Sequence, residues 1–255
     1  MIPLDKMVGD LAMITVNPNM RTYLSYGGGV NSTAMMLLLL DAGWEFESLY
    51  VDHGCDWPET RAYVQMLKDK GYQITVLNPA VNGHGKVFSN LLDYCQDHVM
   101  FPCMTRRWCT RHFKIDVLID YVQTPCFQLI GIDTSESHRA KMSCNDGIEN
   151  RFPLLEWEID RKGCVDIIKN HGLPVPMKSG CFICPFQKRS QWKELRRVHP
   201  DLFCKAKKLE DAVVAKQISR GKKPYYINKD PLETVVSENQ VDMWPDQKPP
   251  CNCGL

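Results

Sequence analysis

The chain has 255 residues, 44% of them apolar, and 31 Lys and Arg stand against 30 Asp and Glu for a net charge of +1. That length and apolar fraction support one large domain with a packed core and exclude a disordered or fibrous chain. The balanced charge excludes a global field driving the chain onto nucleic acid or membrane, so an anionic partner must be held by local basic clusters.

The longest apolar run, Ala34 to Leu40, is far shorter than the ~20 residues of a membrane-crossing helix, and the N-terminus lacks the basic-then-apolar layout of a secretory signal. A cytoplasmic protein is expected. In a reducing compartment, the 12 cysteines point to metal ligation or thiol chemistry ahead of disulfides.

From Arg21 onward, short apolar runs alternate with amphipathic stretches, the order of a parallel α/β sheet. Thr22 to Ser25 reads as the first strand, followed by the turn Gly27-Gly28-Gly29 and a helix from Asn31 to Ala42. Ser48 to Asp52 is a second strand, and Pro58 in the first helical position opens a helix that stops before Gly71. Gln73 to Leu77 is a third strand. Val87, Phe88, Leu91, Leu92, Cys95 and Val99 recur at helical spacing and predict a helix over Lys86 to Met100, with another over Arg107 to Val122. Cys126 to Ile132 is a fourth strand.

Beyond Glu149 the pattern loosens into helices over Asp160 to His171, Ser190 to Val198 and Pro200 to Ser219. Four prolines from Pro231 onward predict an irregular tail. The expected organisation is an N-terminal extension (1–20), a nucleotide-binding α/β domain (21–150), a smaller helical part that completes a cysteine cluster (151–230) and the tail (231–255). The fold class is α/β, a Rossmann-like parallel sheet with flanking helices.

The segment Ser25-Tyr26-Gly27-Gly28-Gly29-Val30-Asn31-Ser32-Thr33 joins the first strand to the first helix. Consecutive glycines allow a tight turn and close approach to a ligand, and the helix start offers free N–H groups and the positive end of its dipole. This is a pyrophosphate-sized anion site, with the Ser32 and Thr33 hydroxyls as extra donors. It satisfies neither the Walker A nor the dinucleotide glycine pattern.

The segment does resemble the PP-loop, Ser-Gly-Gly-x-Asp-Ser, of the ATP-pyrophosphatase (adenine nucleotide α-hydrolase-like) superfamily. Two departures stand out: Gly27 occupies the place of the first Ser, and Asn31 that of the Asp whose charge helps hold Mg²⁺. Asp52-His-Gly54-Cys-Asp-Trp57-Pro58-Glu59-Thr60 is similar to the Asp-Thr-Gly-x-x-Phe-Pro-Glu-Thr segment of the phosphoadenylyl-sulfate reductase group. Gly131-Ile-Asp133-Thr-Ser-Glu136-Ser-His-Arg139 resembles that group's Gly-x-Arg-x-x-Glu/Gln-Ser…Arg loop, with Asp133 where an Arg is common. The resemblance spans about residues 21–186. It implies a PP-loop fold and nucleotide contacts at Ser25, Gly27, Gly28, Gly29, Val30, Asn31, Ser32, Thr33, Asp52, Gly54, Gly131, Glu136 and Arg139, with Asn31 and Ser32 at the reacting phosphates.

Cys181-Phe-Ile-Cys184 can set two thiolates on one metal centre, and Cys103-x5-Cys109 provides a second pair. Four thiolates suit a [4Fe–4S] cluster or a structural Zn²⁺. Adenylyl-sulfate reductases and the DNA phosphorothioation ATP-pyrophosphatases show a similar split arrangement carrying an iron–sulfur cluster. Cys95 has a core spacing, and Cys55, Cys126, Cys144, Cys164 and Cys204 occur singly, where packing is the default role. The terminal Asn252-Cys253-Gly254-Leu255 is similar to the Glu-Cys-Gly-Leu-His terminus of phosphoadenylyl-sulfate reductases, which makes Cys253 a candidate sulfur nucleophile.

Basic residues flank both cysteine pairs: Arg106, Arg107, Arg111 and Lys114 around one, Lys188 and Arg189 after the other, with Trp108 and Trp192 interleaved. Phosphate contacts beside stacking faces suit a polynucleotide, and a solvated helix face balanced by Glu194, Glu210 and Asp211 is the bland alternative. The resemblance implies an ATP-dependent, Mg²⁺-assisted adenylation of an acceptor, nucleic acid in the first instance, for sulfur insertion, with a cysteine desulfurase as possible sulfur source. Two alternatives stand beside it: a reductase of adenylyl sulfate or its 3′-phosphorylated form acting through Cys253, and a non-catalytic nucleotide-binding subunit in which Asn31 marks lost hydrolysis.

Overall fold

The computed structural model describes residues 20–143 and 145–237. The chain runs through β1 (Arg21–Ser25), α1 (Val30–Asp41), β2 (Glu47–Val51), α2 (Pro58–Asp69) and β3 (Ile74–Leu77). A hairpin follows, β4 (Val81–Gly83) and β5 (Lys86–Phe88), and then α3 (Leu91–His98). Next come α4 (Trp108–Thr110), a π-helical turn (Arg111–Ile115), α5 (Asp116–Tyr121), β6 (Cys126–Ile130), a 3₁₀ segment (Thr134–Arg139) and β7 (Ile148–Arg151). The helices α6 (Pro153–Glu156), α7 (Arg161–Asn170), α8 (Arg189–Val198), α9 (Pro200–Ser219) and α10 (Leu232–Val236) complete the described chain.

The main sheet has the order β3-β2-β1-β6-β7, and every pairing in it is parallel. Successive strand residues face opposite sides. Leu24, Tyr50, Phe127 and Leu129 therefore pack with α1, α2 and α7, while Tyr23, Leu49, Val51 and Cys126 pack with Leu118 of α5 and with Val122. Helix α1 is buried from Val30 to Leu39 because the sheet covers one side and Cys164, Ile167 and Ile168 of α7 the other. A helix that is apolar all round must be enclosed in this way. A second core collects Trp57, Phe113, Phe182, Trp192 and residues of α3, α8, α9 and α10. Buried Glu210 ties the last segment to α9 by accepting from the Ile227 and Leu232 amides at 3.1 and 2.9 Å.

The helix predicted over Lys86 to Met100 is shorter than its apolar spacing implies. Lys86–Phe88 is a strand, turned back by His84 and Gly85 at φ 47° and 73°, and Val87 is 66% exposed. The helix begins only after Asn90, whose side chain caps the Leu92 and Asp93 amides. The predicted helix over Arg107 to Val122 is interrupted by the π-turn. The fourth strand ends at Ile130, where the Ile132 amide turns back onto the Ile130 carbonyl. The sequence reading also gave no sign of strand β4, the 3₁₀ segment, the edge strand β7, or the short helices α6 and α10, the last of which lies within the expected irregular tail.

Among the described residues, no helix is long and apolar enough to cross a membrane. Of the single cysteines, Cys55, Cys126 and Cys164 are buried as packing residues should be, but Cys204 is exposed; Cys144 lies outside the described residues.

Candidate functional site

The strand order reverses between β1 and β6, so the crevice beyond their C-terminal ends is where an open parallel sheet receives ligand. The glycine loop follows β1 and the Gly131–Arg139 segment follows β6, so both meet in this crevice. Three backbone segments approach there more closely than side chains allow. A Cβ on Gly28, which is at φ +65°, would lie 2.7 Å from Thr60 Cγ2, and one on Gly29 would lie 2.7 Å from Ser179 Oγ. A Cβ on Gly131 would lie 3.0 Å from the Ser32 nitrogen. Gly27 has open space around it. Helix α1 starts at Gly29 without a side-chain cap and without an acidic residue in its first turn, which leaves its first amides and dipole available to an anion.

A cavity of about 450 Å³ opens at this point. Of the sequence-predicted residues, Ser25, Gly27, Gly29, Val30, Asn31, Ser32, Gly131, Glu136 and Arg139 line it, and so do Cys109, Cys181, Cys184 and Lys114. The phosphate loop and three of the four candidate metal ligands thus share one cavity. The cysteines are held against the loop by backbone bonds, Trp57 amide to Gly180 carbonyl (3.2 Å) and Phe182 amide to Cys55 carbonyl (2.8 Å), and the Cys184 amide closes the turn onto the Cys181 carbonyl at 3.0 Å.

A buried polar network forms one wall. The Asn31 Nδ2 donates to Asp133 Oδ2 at 2.9 Å, and Arg161 donates to Asn31 Oδ1 at 2.7 Å. Asp133 Oδ1 accepts from the Ser135 amide and hydroxyl. Arg139 pairs with Glu136 within the same loop. Opposite them, the Asp56 carboxylate accepts from Tyr50 (2.6 Å) and faces His53 Nε2 (3.2 Å). Burial by itself would push the Asp56 pKa up, but the nearby His53 and Lys114 charges and the His53 and Tyr50 hydrogen bonds outweigh it and hold the carboxyl below its ordinary range.

Burial pushes all three cavity thiols up, Cys184 to about 11, so in the absence of a metal they are neutral at pH 7. Beside Cys109 and Cys184 lies Arg107, whose Nε and one Nη are buried without a hydrogen-bond partner. Its guanidinium is 5.8 Å from the Phe186 ring centroid. A half-buried cation with unused donors next to two of the thiols fits a bound group that carries negative charge, as a thiolate-ligated iron–sulfur cluster does.

The remaining predicted residues lie elsewhere. Cys103 is absent from the cavity wall and interacts with the Thr105 hydroxyl and the Arg106 amide. Thr33 is fully buried, its hydroxyl bonded to the Gly29 carbonyl and to Tyr26. Gly28 packs on Thr60. Asp52 accepts from the Gly54 amide and Arg61, and Gly54 lines a second cavity together with Arg61, Asn90 and Lys205. Arg106 is exposed, Arg111 pairs with Asp116 at 2.6 Å, and Arg189 is 3.8 Å from Asp230. Lys188 occupies the N-cap position of α8, where its backbone amide donates to Gln191 Oε1 at 3.0 Å. Cys253 lies outside the described residues.

The cavity also contains residues the sequence reading missed: His53, Asp56, Arg161, Lys178 and Ser179. Lys178 is exposed as a residue, and desolvation and the nearby Lys188 charge lower its pKa. A sequence signal existed for Lys178 and Ser179, which directly precede Gly180-Cys181. Arg161 opens a helix whose packing partner cannot be read from its own pattern.

No family model matches the sequence. An uncharacterized protein of Methanocaldococcus jannaschii is 24% identical over 203 residues, which cover 74% of this chain and 47% of that protein. The chain therefore spans about half the length of this curated relative. The crystal structure of phosphoadenylyl-sulfate reductase from Candida auris, as a phosphate complex, matches with a TM-score of 0.50 at 12% identity, over 68% of this chain and 87% of that one. The U34-tRNA thiolase NcsA of Methanococcus maripaludis, solved with its [4Fe–4S] cluster, matches with a TM-score of 0.43 at 16% identity, over 82% and 77%. The fold is a Rossmann-like parallel sheet with flanking helices, similar to that of the reductase.

Proposed function

We propose that this chain is an ATP-pyrophosphatase-type enzyme of sulfur metabolism that adenylates an acceptor, nucleic acid in the first instance, for sulfur insertion. One observation carries the reading: the glycine loop and Cys109, Cys181 and Cys184 line the same 450 Å³ cavity. A phosphate cradle and a thiolate centre in one chamber suit a reaction that activates with a nucleotide and finishes with sulfur.

In this reading, Cys109, Cys181 and Cys184 would hold a [4Fe–4S] cluster, or Zn²⁺, with Cys103 as the fourth ligand brought in from the neighbouring segment. When bound, the cluster supplies a soft centre that can carry sulfur. The rest is the work of the chain. ATP lies with its β and γ phosphates on the α1 amides and on Gly27, and Arg161 and Lys178 face the same phosphates. An acceptor oxygen attacks the α-phosphorus, a new P–O bond forms, the bond to the β-phosphate oxygen breaks, and pyrophosphate leaves carrying the electron pair. The loop amides, the helix dipole and the cations stabilise that developing charge. A sulfur nucleophile supplied by a desulfurase-type donor then attacks the acceptor atom that bears the adenylated oxygen, a bond to sulfur forms, and AMP leaves carrying that oxygen and the electron pair. The lining carboxylates do not fit a protein-held Mg²⁺, because each is already occupied by protein donors.

The test is anaerobic incubation of the reconstituted chain with α-labelled ATP and tRNA or DNA. Release of pyrophosphate and labelled AMP that depends on the acceptor is expected. A reconstituted protein that binds ATP yet releases no pyrophosphate with either polymer would overturn the reading.

A further inference from the structure

The replacement of a loop carboxylate by Asn31 does more than remove a charge. The Asn31 carboxamide is oriented from both sides: Arg161 can only donate, which fixes the oxygen toward it, and the Asp133 carboxylate fixes the nitrogen at 2.9 Å. One of the two Nδ2 hydrogens is used by Asp133, and the other remains for a ligand in the cavity that Asn31 lines. A position that presents a metal-seeking oxygen in the resembled loop presents an N–H donor here.

The cavity wall contains three carboxylates, Asp56, Asp133 and Glu136. Asp133 is 1% exposed and accepts from Asn31 and twice from Ser135. Asp56 is 6% exposed and is engaged by Tyr50 and His53. Glu136 is paired with Arg139. Magnesium binds through one or two carboxylates in near-octahedral geometry, and each of these three already has at least one oxygen held by a protein donor. The same wall carries Lys114, Arg161 and Lys178, and among the described residues none of these cations pairs with a carboxylate. With Arg139 these make four cations against three carboxylates on the wall, and Lys114, Arg161 and Lys178 keep their donors free of carboxylate contacts where a polyphosphate would lie.

We infer that this site holds its phosphate-bearing ligand on protein cations and amide donors, without a divalent cation ligated by the protein. The inference rests on the proposed reading of the loop as a phosphate site and specifies how that site is neutralised: Arg161 and Lys178 do what a loop-bound metal would otherwise do, and Asn31 is oriented to donate to a phosphate oxygen.

Titration calorimetry of the full chain with inorganic pyrophosphate, in EDTA and in excess Mg²⁺, tests it. The dissociation constant in EDTA is expected to be within about threefold of that in Mg²⁺, or tighter. Lys178→Gln, at an exposed residue, and Arg161→Gln should each weaken metal-free binding about tenfold, as loss of a charge-assisted contact does. Asn31→Asp should weaken metal-free binding by a similar factor and make Mg²⁺ enhance it. Titration of the ligand-free protein with Mn²⁺, read by electron paramagnetic resonance, should show no bound ion in the wild type. Wild-type binding that appears only with Mg²⁺, or a Mn²⁺ ion bound before any phosphate, overturns the inference and leaves the phosphate-site reading standing. Absence of pyrophosphate binding in both conditions overturns both.

Discussion

Asn31 and Asp133, 102 residues apart in sequence, are joined by a 2.9 Å hydrogen bond inside the cavity wall. Read along the chain, these are two separate departures from the PP-loop reductase pattern, one losing a negative charge and the other gaining one. In the fold they form a matched pair. An Asp at 31 would face the Asp133 carboxylate directly, and an Arg at 133 would leave the Asn31 nitrogen without its acceptor. A carboxylate has in effect moved from the phosphate loop to the facing loop, where Ser135 completes its hydrogen bonds.

The pair should therefore behave as a unit. In a double-mutant cycle on urea unfolding, Asn31→Ala and Asp133→Ala are expected to show a coupling energy of about 1–3 kcal/mol, because either single change strands a buried partner. Additivity to within about 0.5 kcal/mol would show that the bond contributes nothing specific.

The glycines of the cradle separate into different classes. Gly28→Ala meets both a positive φ and the Thr60 methyl, so a loss of about 1–3 kcal/mol is expected. Gly131→Ala places its methyl against the Asn31 and Ser32 backbone and should displace the loop, weakening ATP binding more than it lowers stability. Gly27→Ser, in open space, should leave the melting temperature within a few degrees of wild type, at about 0.5 kcal/mol or less. A Gly27→Ser protein that fails to fold would show that the loop is not open where the structure has it.

How much of this was legible depended on whether a feature was local. The strand–glycine–helix junction from Ser25 to Thr33 carries its own chemistry in its residue order, and so do the Cys181-x-x-Cys184 turn and the Pro58 helix start. Lys86–Phe88 reads as helix in the sequence because Val87 and Phe88 fall on the helical spacing of Leu91 and Cys95, and only the Asn90 cap and the His84-Gly85 turn separate them. Arg161 and the Asn31–Asp133 bond were not legible at all. They depend on α7 packing across α1 and on β6 pairing with β1, long-range facts that no single segment states. Cys103 and Cys109 pair readily along the sequence, but the fold places only Cys109 on the cavity wall, because the backbone turns between them.

Arg107 gives a third prediction. Its Nε and one Nη are buried and unpaired beside Cys109 and Cys184, a cost that a negatively charged partner would offset. Arg107→Leu should stabilise the metal-free protein or leave it unchanged, and lower its affinity for Zn²⁺ or Co²⁺ by about tenfold, equivalent to about 1.4 kcal/mol. Co²⁺ absorption in the thiolate charge-transfer region measures this directly. An Arg107→Leu protein that loads Co²⁺ as tightly as wild type would mean that the guanidinium serves packing alone.

The cavity thiols set a pH dependence whose sign follows from their burial. Cys184 is raised from 9.0 to about 11, and Cys109 and Cys181 are raised as well. A thiol whose folded pKa lies above its unfolded value favours folding while it stays neutral. That stability is complete below pH 9 and is lost as pH rises toward 11, on the order of 2 kcal/mol for Cys184. The metal-free protein should therefore melt progressively lower between pH 9 and 11, and Cys184→Ala should flatten that slope. Metal loading runs the opposite way, because each ligand must shed its proton to bind. Zn²⁺ affinity should rise with pH across the neutral range, about tenfold per unit for each proton released. A loading curve flat with pH would mean that the thiols are already ionised in the metal-free protein, and the electrostatic picture of the cavity would have to be abandoned.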